Sequence, residues 1–473
     1  MIPERTRTAA GLAALLLAGA VHWAWFLGAG RGGPSFEVAD WPKEYRYYSA
    51  LQQAVREVRV PYYVSRPIQE TRKLLSLPEL TWSPQVVLLR LMDVGPFVVA
   101  NTVLLYVAGF AATLLLRRRY ALTALPFTLL WLLLLFNGHV AAHLAIGHSM
   151  WAGYFLLPFV ALLTLDIMER PSSPVGSLVL GLVLGLLLLQ GSFHLFAAAV
   201  LFVVSVLAFS PRAWRPLAGA LAWAAALGAG RLVPPALMLV GRREQDFLSG
   251  YPSPAVLAEA LAFVRTVAEP KQGGRFDTLG WWELDAYVGL AGLAWLLWFG
   301  VWQGLASSRV VRTMPRRALA GPIVLMTLLA LGDLYYPLNA SGLPLLSSQR
   351  VSSRLFVMPL VLLIVLAARQ TEAALRKTPP PLMLRTVLLG AVLATVVSLG
   401  VHSRAWSVQA VERLWPAPPH PRDLAIALSP PPHAPDARDR AYLRGLHASA
   451  AFSALALVAW SVALARGLRN RSY

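Results

Sequence analysis

The chain of 473 residues has no cysteine, and only 14% of its residues are charged. Without a thiol there is no thiolate nucleophile, no thiolate metal site and no disulfide. Soluble domains carry about 25% charged residues, so the low charge content excludes a soluble enzyme and a disordered chain. Three signatures are also missing: a Walker-type glycine loop, H-E-x-x-H, and the D-x-D that announces a divalent metal. An energy-coupled pump and a cytosolic nucleotide-sugar transferase are thereby disfavoured. What the chain has instead is apolar residues, 57% of the total, with a mean hydropathy of +0.57. Its 42 Lys and Arg against 23 Asp and Glu give a net charge of +19. On so apolar a chain this excess reads as charge that orients a membrane protein, with no nucleic-acid partner.

A bilayer core of about 30 Å needs roughly 20 apolar helical residues. Windows of that length predict an all-α, polytopic membrane protein of about twelve transmembrane helices. They lie near 9–29, 94–116, 120–137, 150–166, 175–191, 193–210, 216–239, 284–303, 318–334, 353–369, 383–402 and 448–465. The first run, after Arg5 and Arg7, continues through Trp23, Trp25 and Phe26, long enough to stay as an anchor and not be cleaved as a signal. Arginines fall at alternate connections: Arg117–Arg119, Arg170, Arg212 and Arg215, Arg309–Arg317, Arg369–Arg385 and the tail after Arg466. By the positive-inside rule these ends, and both termini, are cytoplasmic.

The expected organisation is a single membrane domain, 1–473. Span one (1–29) precedes an outside loop at 30–93, and spans two to seven cover 94–240. A second outside loop at 241–283 precedes spans eight to eleven (284–402). A proline-rich outside loop at 403–447 leads to the last span and basic tail (448–473). Between Lys43 and Arg59, Tyr47, Tyr48, Leu51, Ala54, Val55 and Val58 recur at three- and four-residue spacing, which predicts an amphipathic helix lying on the membrane surface.

Candidate chemistry concentrates on the outer side. Asp40, just before that helix, is placed either to take a proton from a hydroxyl or to cap the helix. His139 and His143 share a helical face, and His148, nine residues on from His139, is expected to point away. Gly138 and Gly147 make a broken segment plausible. These imidazoles suit structural hydrogen bonding, a phosphate or sugar contact, or a metal; His194 reaches the same surface. Arg231 lies about 22 Å into its span, as an intramembrane functional arginine or one that snorkels outward. Arg350 and Arg354, four apart, are expected on one helical face, suited to a phosphate or to headgroups. Tyr251 and Trp281-Trp282-Glu283 complete the outside set as substrate-cleft candidates, the tryptophans as an aromatic belt or a sugar platform.

A first span, then a long outside loop with an early acidic residue, then some ten further spans: this arrangement resembles the GT-C superfamily of integral membrane glycosyltransferases. The stretch Ser348-Gln349-Arg350-Val351-Ser352-Ser353-Arg354-Leu355-Phe356 is similar to the arginine-paired start of a late span in several GT-C-like families. The resemblance implies a bacterial cytoplasmic (inner) membrane enzyme and, as partners, a polyprenyl-phosphate-linked sugar donor, a lipid-linked or exported glycan acceptor, and membrane lipids. It implies Asp40 as base, with Glu37 and Glu44 as substitutes, in an inverting transfer. Arg231, Arg350, Arg354, His139, His143 and His148 would neutralise the donor phosphate. No cofactor and no metal ligand is implied, and a divalent cation stays open. Two other readings remain: a glycan polymerase or ligase using a lipid-diphosphate donor, and a lipid or polysaccharide transporter.

Overall fold

The computed structural model describes residues 4–68, 71–77, 79–172, 174–239, 247–272, 279–306, 317–377, 382–415 and 439–469. Each of the twelve apolar stretches carries helix. In chain order, the first elements are α1 (Glu4–Phe26), α2 (Trp41–Arg56), a hairpin of β1 (Tyr63–Ile68) and β2 (Thr71–Lys73), and α3 (Val94–Tyr120). There follow α4 (Ala124–Leu135), α5 (Gly138–Ala145), α6 (Leu157–Glu169), α7 (Pro174–Leu189), α8 (Phe193–Phe209), α9 (Trp214–Leu227) and α10 (Ala229–Leu239). The second half holds α11 (Pro254–Ala262), α12 (Gly289–Trp295), α13 (Arg317–Leu329), two single turns α14 (Tyr336–Asn339) and α15 (Pro344–Ser347), α16 (Val357–Leu375), α17 (Leu382–Trp406), α18 (Val408–Leu414) and α19 (Arg440–Arg469).

Among the described residues, seven helical segments are long and apolar enough to cross a membrane: Thr8–Phe26, Val94–Tyr120, Ala124–Ala145, Ser149–Glu169, Ser352–Leu375, Leu382–Trp406 and Arg440–Arg469. An eighth is possible only if α8 and Pro211–Leu227, bent by 118°, count as one. Pro174–Leu189, Gly289–Leu305 and Ala318–Leu329 are apolar but short; at 1.5 Å per residue they reach about 18–26 Å, less than the hydrocarbon core. The count of about twelve is therefore not confirmed. The last helix also starts at Arg440, inside the stretch expected to be irregular, and α18 adds a short helix before it. Residues 416–438, with most of the prolines expected there, lie outside the described set.

The first outside segment departs most from expectation. Its helix is α2, but Trp41, Tyr47, Tyr48, Leu51 and Ala54 are buried, packed on α3 and on the 3₁₀ segment Pro84–Arg90. Most of the apolar stripe therefore faces protein, although Val58, past the helix end at Arg56, is exposed. The β1–β2 hairpin was not anticipated.

Three contacts seat this segment on the helices. Gly147 has φ +94°, and a Cβ there would sit 2.6 Å from Trp41 N and 2.9 Å from the Asp40 carbonyl carbon. Asp40 N donates to Ile146 O (2.9 Å) and Trp41 Nε1 to Ala145 O (3.0 Å). Gly191, at φ +78°, would place a Cβ 2.5 Å from the Glu79 carbonyl carbon and from Leu80 N. Arg231 on α10 donates to Leu75 O (3.1 Å), Leu77 O (2.6 Å) and Glu79 O (2.7 Å). Backbone meets backbone at two points where only glycine fits.

Gly191→Ala combines a left-handed backbone with a main-chain clash, so it is expected to cost about 1–3 kcal/mol. Thermal unfolding in nanodiscs checks this. Gly390→Ala, with nothing within 4 Å of its Cβ and no positive φ, is expected to be neutral or slightly stabilising.

Candidate active site

Asp40 ends the loop before α2, and its carboxylate is not spent on capping: no side-chain cap bond is made. Oδ2 instead meets His148 Nε2 at 3.1 Å and Lys43 Nζ at 3.7 Å, with the side chain 47% exposed. Lys43 is shared. It lies 3.1 Å from Glu44 Oε1 and 3.5 Å from Glu79 Oε1, both glutamates being buried. Glu44 Oε2 accepts from Ser149 Oγ, which accepts from Tyr48 OH (2.6 Å). Neither oxygen of Glu79 has a hydrogen-bond partner.

Behind Asp40 the cluster continues inward. His148 Nδ1 and His143 Nδ1 are 2.8 Å apart, and His143 stacks on Trp151 at 3.9 Å between ring centroids. Trp151 Nε1 donates to His139 Nε2 (3.2 Å). Arg354 lies 5.0 Å over the Trp151 ring and grips Glu283 with two bonds, Nε to Oε2 (2.7 Å) and Nη2 to Oε1 (2.6 Å). His194 Nδ1 meets Gln349 Oε1 at 3.0 Å, its ring 5.7 Å from Trp151.

The charges sort the carboxyls. Partial burial pushes Asp40 up, but the hydrogen bond from His148 and the charges of Lys43 and Arg354 outweigh it and hold the group well below the usual carboxylate range. Glu79 goes the other way: burial first, then the Glu44 charge, raise it to about 8, against partial relief from Lys43 and Arg231. Burial opposes the charge on Lys43, yet Glu79, Glu44 and Asp40 hold it above the ordinary lysine range.

Thus Asp40, Glu44, His139, His143, His148, His194, Glu283 and Arg354 come together. His148 does not point away from His143, because α5 ends at Ala145 and the left-handed Gly147 folds the chain back. Arg350 and Arg354 do not share a helical face: Arg350 precedes the 3₁₀ turn Ser352–Phe356 and is exposed, whereas Arg354 is buried. Arg231 binds backbone carbonyls, neither snorkelling nor lining the cluster. Glu37 is exposed. Tyr251 is buried against Phe356. Trp281 is buried under Arg265, and Trp282 packs on Trp415, so Trp281 offers no open sugar platform.

Lys43, Glu79, Ser149, Trp151 and Gln349 were missed from sequence. Lys43 carried a signal, three residues after Asp40 and so on its helical side, and Ser149 and Trp151 adjoin His148. Glu79 carried none, since its place depends on the Gly191 and Arg231 contacts. His143, His148 and Glu283 place ligand atoms within 4.8 Å of one another. They do not fit a metal ion as arranged, because both Glu283 oxygens are held by a cation and the two imidazoles bond each other.

No protein-family model matches the chain, and no curated protein matches it. Among solved structures it is similar to the cryo-EM structure of arabinofuranosyltransferase AftD from mycobacteria, with a TM-score of 0.50 and 17% identity over 83% of this chain and 27% of that one. A mutant of that enzyme gives 0.48 and 17% over 86% and 28%. The chain thus spans about a quarter of the length of the structures it matches. At this identity the likeness is one of fold alone.

The Glu79 environment sets a pH dependence. Its carboxyl titrates near 4.5 when unperturbed and near 8 in the folded chain, so between these values the folded state binds the extra proton and stability falls as pH rises. Glu79→Gln is expected to remove that part of the slope between pH 5 and pH 8 in thermal unfolding. An unchanged slope would contradict the assignment.

Proposed function

We propose that this protein is a membrane glycosyltransferase that moves a sugar from a polyprenyl-phosphate donor to an acceptor hydroxyl on the outer face of a bacterial cytoplasmic membrane. The observation that carries the reading is the Asp40 carboxylate: half-exposed, ionised, and set at the mouth of a buried charged cluster within a GT-C-like fold. Asp40 accepts the acceptor's proton as the oxygen attacks the anomeric carbon. The bond from that carbon to the phosphate oxygen breaks, the phosphate keeps the electron pair, and the configuration inverts. A carboxylate this acidic does not strip a free hydroxyl in advance. It suffices because the attacking oxygen becomes strongly acidic only as its new bond forms.

The leaving phosphate needs cations more than it needs an acid. Lys43 beside Asp40 and the exposed Arg350 are the groups we assign to it. Arg231 and Arg354 act at one remove, by holding the Leu75, Leu77 and Glu79 carbonyls and the Glu283 carboxylate. The AftD likeness makes an arabinofuranosyl donor the first to try.

In liposomes, the purified chain is given radiolabelled polyprenyl-phosphoryl-arabinofuranose, then other polyprenyl-phosphate sugars, with a synthetic glycoside acceptor. Asp40→Asn is expected to lower transfer by about 10²–10⁴-fold, while Glu57→Gln, at the solvent end of α2, leaves it within about twofold. Full activity of Asp40→Asn would overturn the base assignment. Activity that survives Asp40→Asn but fails with Arg350→Ala would point to a lipid-diphosphate polymerase.

A further inference from the structure

Behind Asp40 runs a chain of two imidazoles whose protons can be placed by elimination. An ionised carboxylate only accepts hydrogen bonds, so the 3.1 Å contact with Asp40 Oδ2 puts a proton on His148 Nε2. In the neutral form of His148 that proton is its only one, which leaves Nδ1 as an acceptor. The 2.8 Å contact between the two Nδ1 atoms then puts the His143 proton on its Nδ1. That leaves His143 Nε2 bare; it is fully buried, has no hydrogen-bond partner, and lies 4.0 Å from Glu283 Oε2.

The rest of the cluster supports this one arrangement. Trp151 stacks on His143, and its own N–H is tied to His139, so the His143 ring has little freedom to turn. Arg354 grips both oxygens of Glu283 and so holds that carboxylate 4.0 Å from His143 Nε2, beyond hydrogen-bond reach. The other charged or titratable groups around the chain are Lys43, Glu44 and Glu79 from the first outside segment, and His194 from α8. Among the described residues none of them hydrogen-bonds either Nδ1.

We propose that His148 and His143 are positioning residues for Asp40: His143 fixes the tautomer of His148, and His148 fixes the carboxylate so that Oδ1 is left to the acceptor hydroxyl. The order is the reverse of a Ser-His-Asp triad, with the carboxylate at the substrate end and the imidazoles buried behind it. The catalytic meaning of the chain rests on Asp40 being the base; its effect on Asp40 does not.

Infrared titration of the full chain in nanodiscs, with Asp40→Asn to assign the carboxyl band, reads the effect without substrate. In the wild type the Asp40 band appears only below the usual carboxylate range. His148→Phe removes the donor, and His143→Phe or His143→Leu frees the tautomer; each is expected to bring the band in at a pH higher by about one unit or more. His148→Gln supplies an N–H that needs no tautomer control, so it restores most of the wild-type behaviour. In that background His143→Phe should have no further effect, the non-additivity expected of a chain. His143→Asn, which keeps a donor near the Nδ1 position, stays close to wild type.

A titration unmoved by His148→Phe overturns the proposal. So does one unmoved by both His143→Phe and His143→Leu, or a full His143→Phe effect in the His148→Gln protein. If the band moves as expected but Asp40→Asn still transfers sugar, the positioning chain stands and the base assignment falls. If Asp40→Asn is inactive and the band does not move, the reverse holds.

Discussion

Arg231 meets its charge with three backbone carbonyls, and among the described residues no carboxylate lies within ion-pair distance of it. A buried guanidinium is costly unless its donors are satisfied, and the Leu75, Leu77 and Glu79 carbonyls take bonds from both terminal nitrogens, leaving Nε alone without a partner. The consequence is mechanical. Leu75, Leu77 and Glu79 are held against α10, Leu80 lies on Gly191, and Glu79 is carried under Lys43. From Lys43 the contact passes to Asp40, whose own backbone is held by Ile146 through the Gly147 turn. The cluster therefore depends on a loop seated by main-chain contacts, not by side-chain packing alone.

Once seated, the loop creates an imbalance of charge. Asp40, Glu44 and Glu79 converge on a single lysine, two of the three in full burial. Low local polarity makes each unpaired carboxylate expensive, so the groups separate by environment. Asp40 is half-exposed and receives a hydrogen bond from His148, which keeps it charged. Glu79 has only its 3.5 Å share of Lys43 and moves towards the protonated form. Two carboxyls on one segment thus take opposite states. Arg354 and Glu283 settle their own charges as a bidentate pair and form the inner wall of the cluster.

Much of this was legible in the residues. Apolar runs mark helices because their periodicity and length leave few alternatives, and Asp40 stood out because it lies just before the amphipathic helix that follows the first span. The break around Gly138 and Gly147 was legible for the same reason that glycine is tolerated at it. The span count was not, because runs such as Pro174–Leu189 satisfy hydropathy without satisfying length. Spacing also misled where a helix ended early: His148 on an ideal helix points away from His143, yet one left-handed residue brings them into contact. Arg354 was noticed as a phosphate ligand, but Glu283 is 71 positions earlier, and no local pattern joins them. Glu79 and Gln349 belong to the same class, placed by contacts between distant segments.

The central claim is that Asp40 stands at the reacting centre and the helix-borne groups behind it serve that carboxylate. The most direct test is a cryo-EM structure of the full chain with a non-hydrolysable polyprenyl-phosphate sugar and an acceptor glycoside. The account predicts the acceptor hydroxyl about 2.6–3.2 Å from Asp40, with the lipid phosphate against Lys43 and Arg350 and the His148–Asp40 contact intact. A donor headgroup bound elsewhere, with Asp40 left to solvent, would contradict it.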